Sequence, residues 1–66
     1  MKISRQKIEL LQAEKGLTAT TLAERSGVSR QNISTLKGRG TCQPWTAQKI
    51  ALALGVDVVD LIESEV

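Results

Sequence analysis

The chain has 66 residues, a net charge of +2, one cysteine and no histidine. That allows one domain, 1–66, close to the lower size limit for an unassisted core. It excludes an internal disulfide, leaves no plausible metal-ligand set, and removes the commonest general base, so neither catalysis nor a cofactor, metal or small-molecule ligand is expected.

Ser4 is placed to cap a first helix, with Ile8 and Leu11 at i,i+3 on the buried side, Leu10 widening the apolar stripe and Gly16 ending it. Thr18 caps a second, short helix in which Leu22 and Ala23 face inward and which Gly27 closes. Ser29 caps a third, expected to run through Leu36. Ile33 and Leu36 are its only large apolar residues. At 3.6 residues per turn, Gln31, Ser34 and Thr35 point away from them, with Arg30 and Lys37 to one side and Asn32 nearer the buried side. A helix anchored by two residues and polar elsewhere presents a surface more than it fills a core.

The stretch 38–43 reads as a loop by its glycines. Pro44 suits the first turn of a fourth helix, with Ala47, Ile50, Ala51 and Leu54 buried and Gly55 as its stop. Asp57 caps a fifth, in which Val58, Leu61 and Ile62 face inward. No segment sustains the period-two alternation of a strand. The expected fold class is all-α: a compact five-helix domain.

Charge divides along the chain. All nine basic residues precede Ile50, where only Glu9, Glu14 and Glu24 oppose them; Asp57, Asp60, Glu63 and Glu65 follow with no base among them. One face suited to a polyanion, and another turned away from it, would account for the division. No apolar run approaches the roughly 20 residues needed to cross a bilayer, so no membrane partner is expected. Lys2, Arg5, Lys7 and Glu9 interrupt the place of a signal-peptide core. An unpaired thiol, Cys42, suits a reducing compartment, and the expected location is cytoplasmic.

The sharpest signal is 18–36, TATTLAERSGVSRQNISTL. Two short helices flank a tight turn at Gly27-Val28. Ala23 is small where the helices must cross, Gly27 can take a positive φ, and Val28 buries beneath the turn. Ser29 caps the next helix, and Ile33 and Leu36 lock it against Leu22. Such a pair holds its second helix outward, where side chains can enter a DNA major groove.

Over nearly its whole length the chain resembles the Cro/CI-type, or Xre, repressor domains. The resemblance lies in Gly16-Leu17-Thr18, Leu22-Ala23, Gly27-Val28-Ser29-Arg30, Ile33-Ser34, Pro44, Thr46-Ala47, Lys49-Ile50-Ala51, Ala53-Leu54-Gly55-Val56 and Leu61-Ile62. It implies a lambda-repressor-like domain that binds a double-stranded DNA operator, usually as a homodimer, which could form only on the DNA. Three departures stand out. Ala19 occupies a position where members often carry Gln. Gln12 and Lys37 replace a frequent Arg–Glu pair between the first helix and the end of the third. The loop before Pro44 is about one residue longer than the common pattern.

Base-edge contacts are expected from Arg30 and Gln31, since Arg suits guanine O6/N7 and Gln adenine N6/N7, with Ser34 and Thr35 beside them. Phosphate contacts are expected from Thr18, Ala19, Ser29, Asn32, Lys37, Arg39 and Thr41. Trp45, Val58 and Val59 are the candidate dimer interface, Trp being enriched at interface hot spots. The expected function is a transcriptional regulator, most simply a phage-type repressor on a palindromic operator. An antitoxin or a restriction-modification control protein would use the same fold, and a helical protein-interaction module without DNA binding is the rival of a different class.

Overall fold

A computed structural model describes residues 1–62. Four α-helices are present there: α1 (Arg5–Lys15), α2 (Ala19–Ser26), α3 (Arg30–Arg39) and α4 (Pro44–Leu54). The first three begin at the expected caps. The hydroxyl of Ser4 accepts from the Lys7 amide at 3.2 Å, that of Thr18 from Thr21 at 3.1 Å, and that of Ser29 from Asn32 at 3.1 Å. Each hydroxyl takes up one donor that the helix itself leaves unsatisfied. α4 begins on Pro44, which lacks the amide that a first turn cannot use.

One apolar cluster draws on every segment. Ile8, Leu17, Leu22, Val28, Ile33, Leu36, Ile50, Ala51, Leu54 and Leu61 are all buried, together with Ile3 from ahead of α1. α4 is the central element, packing on α1, on α2 and on the turn that follows it, while α2 packs on α3. Val28 lies buried beneath the α2–α3 turn, where Gly27 takes φ +75°. α3 is held through Ile33 and Leu36 as expected.

Three expectations are corrected. The expected fifth helix is a single 3-10 turn, Val58–Asp60, so four α-helices and not five are present among the described residues. The reason is competition for backbone. Leu61 is fully buried, its carbonyl accepts from the Ser4 amide at 2.7 Å, and Ile62 forms an antiparallel bridge with Ile3. Leu61 itself keeps helical dihedrals, with its amide bonded back to the Val58 carbonyl at 2.9 Å, but its carbonyl is given to Ser4 and not to a further turn of helix. Second, α3 runs past Leu36 to Arg39, taking in Gly38, and ends where Gly40 donates its amide to the Leu36 carbonyl at 2.8 Å. Third, Leu10 does not widen the buried stripe of α1. It is 64% exposed, and the polar Gln12 is buried on the inner side with Ile8.

No strand occurs among the described residues, but the N-terminal segment makes isolated bridges at Lys2–Thr41 and Ile3–Ile62. It thereby ties the α3–α4 loop to the end of the described chain. Glu63 and Glu65, half of the acidic tail, lie outside the described residues.

Candidate DNA interface

α3 carries its polar side outward because two apolar anchors fix its rotation. Ile33 and Leu36 are 1% and 5% exposed, whereas Arg30, Gln31, Asn32, Ser34, Thr35 and Arg39 are all exposed. At about 100° per residue, Gln31, Ser34, Thr35 and Gly38 fall together on the side opposite the anchors. The Thr35 hydroxyl donates to the Gln31 carbonyl at 2.9 Å. That bond ties the Thr35 hydroxyl back to the helix, the usual behaviour of Thr within a helix.

Arg30 sits at the start of α3 but off this central line. Its guanidinium donates to Thr20 Oγ1 of α2 at 3.4 Å. It therefore lies beside the first turn of α2, where Thr18 Oγ1 is engaged with both the amide and the hydroxyl of Thr21. The amides of Ala19 and Thr20 have no acceptor within the helix, and an anion at this end would meet them and Arg30 together. Ala19 is half-buried there. Ser29 caps α3 on the same side of the turn.

Asn32, expected nearer the buried side than Gln31 or Ser34, is exposed. With Thr35, Arg39, Thr41, Gln43 and Thr46 it lines a shallow groove between α3 and the start of α4. The expected phosphate residues thus fall into two groups. Thr18, Ala19 and Ser29 flank the start of α3 with Arg30, and Asn32, Arg39 and Thr41 lie along the groove on its α4 side.

Lys37 belongs to neither group. Its ammonium donates to Oε1 of Gln12, and Nε2 of Gln12 donates to the Leu17 carbonyl at 3.4 Å. The two positions that depart from the Arg–Glu pattern therefore meet each other, and a neutral acceptor holds the cation. Burial pulls the Lys37 ammonium below its ordinary pKa of 10.5; Glu9 opposes this and Arg5 adds to it. Burial raises the thiol of Cys42 above 9.0, against smaller opposing effects of the N-terminal ammonium and the Ala47 backbone, which keeps it protonated and unreactive near neutral pH.

Of the expected dimer residues, Trp45 is 64% and Val59 68% exposed, while Val58 packs against the core. Trp45 lies in the first turn of α4 and Val59 beyond its last. Between them Leu52 is 69% exposed. Sequence reasoning passed over Leu52, although its spacing of seven from Trp45 places both on one stripe opposite the buried Ala47, Ile50, Ala51 and Leu54.

Among the described residues, no helix is long and apolar enough to cross a membrane. No curated protein and no solved structure matched the chain. The family model of the Cro/C1-type HTH DNA-binding domain matches residues 7–65, which takes in both groups of candidate phosphate residues and all of α3, and the chain belongs to that DNA-binding family.

Proposed function

We propose that the protein is a repressor-type transcriptional regulator that inserts α3 into the major groove and binds a palindromic operator as a dimer. The observation that carries this reading is the rotation of α3. Its two apolar residues are buried, and Gln31, Ser34 and Thr35 are exposed along the opposite side. Gln31 is the base reader best placed on that central line, and its amide suits adenine N6/N7. Arg30 reads guanine from the flank or exchanges its weak bond to Thr20 for a phosphate. Ser34 and Thr35 meet bases further along. Thr18, Ala19 and Ser29 hold phosphate on one side, and Asn32, Arg39 and Thr41 on the other. Lys37 would have to leave Gln12 to join them.

Size supports the dimer. One α3 of ten residues is about 15 Å long and reads only a few base pairs. The domain's longest dimension is 32 Å. Two such domains side by side can set their α3 helices about 34 Å apart, one turn of B-DNA. Trp45 and Leu52 are the exposed apolar residues of α4 available to that contact, with Val59 exposed beyond the end of the helix and Val58 beside it packed against the core.

Selection of bound sites from a random DNA pool tests the reading. The wild type should return a two-fold symmetric site. Gln31→Ala should lose preference at one base pair per half-site, at a cost of about 1–3 kcal/mol there. Failure to enrich any site would sink the reading in favour of a protein-interaction module. An unchanged preference at every position in Gln31→Ala would remove Gln31 as a base reader.

A further inference from the structure

We propose that α1 carries a second self-association surface, on which α1 of another copy docks antiparallel across a two-fold axis. Leu10 is 64% exposed in the middle of α1. It forms one wall of a shallow cleft with Lys7, Leu11 and Glu14, and Val59 and Asp60 close the cleft from the side of the 3-10 turn. On α1 these residues make a single stripe. Lys7 and Glu14 are seven apart and nearly in line; between them lie Leu10, exposed on one side, and Leu11 on the other, half-buried with its inner part against the core.

The order of charges along α1 points to the occupant; the third charged residue at the cleft, Asp60, lies on the 3-10 turn, where its Oδ2 accepts from the Asp57 amide at 3.2 Å. Lys7 and Glu14 are equally distant from the midpoint between Leu10 and Leu11. A second α1 running parallel in register would set Lys7 against Lys7 and Glu14 against Glu14. A second α1 running antiparallel about that midpoint sets Lys7 against Glu14 of the second copy, twice over, and Leu10 against Leu11 of the second copy. The surface is therefore complementary to itself in one orientation, which is what a two-fold contact requires. Among the described residues the Lys7 ammonium donates one bond, to the Ile62 carbonyl at 3.0 Å, and an ammonium has two donors more.

This contact differs from the operator dimer, which centres on Trp45 and Leu52 of α4; Val59, a wall of the α1 cleft, lies at the border between the two. Gln12, which reaches Lys37 of α3, lies about 150° around α1 from the stripe. Two copies joined through α1 therefore keep α3 clear, and their α3 helices do not share one operator. Together with a contact on the α4 side it would link operator-bound dimers to one another. Exposed ion pairs are individually weak, so the free protein should associate weakly and in a salt-dependent way.

Sedimentation equilibrium of the free protein at low salt tests the contact. Lys7→Glu and Glu14→Lys should each weaken association about tenfold, because each turns two attractive pairs into two repulsive ones. The double variant Lys7→Glu/Glu14→Lys should return it to near the wild-type value. Lys7→Gln, which loses the bond to Ile62 without adding a like charge, should fall between. Glu14→Lys places a cation in the last turns of α1, where it suits the helix dipole, so folding is not at risk. A double variant as weak as either single, or singles that associate like the wild type, would overturn the contact. The measurement contains no DNA, so failure of the operator reading leaves it standing.

Discussion

At the scale of single residues, two neighbouring cations on α3 separate by what they touch. Arg39 is exposed and lines the groove at the start of α4, whereas Lys37 is half-buried with its ammonium held by Gln12. Arg39→Gln should weaken binding to all DNA sequences alike and lower the salt slope of affinity by about one unit. Lys37→Met should change the slope much less; an equal fall would show that Lys37 swings away from Gln12 on binding. Lys37 has a second signature, in stability. Its folded pKa lies below the 10.5 of the unfolded chain, with burial as the main cause. Between the two values the unfolded state binds more protons, so this group makes stability rise with pH in the window just below 10.5. Urea unfolding across that window should show the rise in the wild type and not in Lys37→Met, so that the difference between the two proteins carries it. A parallel pH dependence in both proteins would contradict the burial of Lys37.

At the scale of elements, the end of α3 rests on two glycines with opposite requirements. Gly38 lies within the helix, and a Cβ there would meet nothing within 4 Å. Gly40 takes φ +72°, the left-handed turn that closes the helix. Gly38→Ala should stabilise the fold by about 0.5–1 kcal/mol, since Ala loses less backbone freedom in a helix. Gly40→Ala should destabilise it by about 1–2 kcal/mol, since a side chain is strained at that φ. Urea midpoints at constant m-value decide both, and equal signs would place the end of α3 elsewhere. From sequence, Gly38 looked like the start of the loop because a glycine inside a helix and one just beyond it look alike. Caps and glycine stops were legible elsewhere because each is a local bond with its own residue chemistry: Ser4, Thr18 and Ser29 before their helices, Gly16, Gly27 and Gly55 after. The buried faces of α2, α3 and α4 were legible because spacing of three and four maps directly onto one side of a helix. The burial of Ile3 was not, since it depends on bridges and hydrogen bonds to residues far along the chain, at Gly40, Leu61 and Ile62. The fifth helix failed for the same reason, its backbone being taken by that pairing. On α1, Gln12 and not Leu10 joins the inner side, because a polar residue with two hydrogen-bond partners can occupy an inner position that apolar spacing does not reveal.

At the scale of the whole molecule, the question is how one small domain discriminates one site among many. On the proposed reading, four exposed side chains on α3 would read only a few base pairs, and each mismatch would cost about 1–3 kcal/mol. A monomer would therefore separate its operator from the bulk of DNA poorly. Doubling the readout through a two-fold contact squares the discrimination without new base contacts, provided that the two α3 helices lie one helical turn apart. The α4 side offers Trp45 and Leu52 on one outward stripe, with Val59 beyond the end of the helix. Leu52→Asp tests this side without touching the α1 cleft, which Leu52 does not line. Leu52 is 69% exposed, so the fold should persist and circular dichroism should be unchanged. Affinity for the full selected site should fall by tenfold or more, while affinity for an isolated half-site stays within about twofold. Sedimentation of the complex supplies the stoichiometry. The wild type should place two chains on the full site at saturation, with the second following the first closely, and Leu52→Asp should fill the two halves independently. A single wild-type chain on the saturated full site would rule out the dimer, and equal losses on full and half sites would move the effect of Leu52 from the interface to the fold.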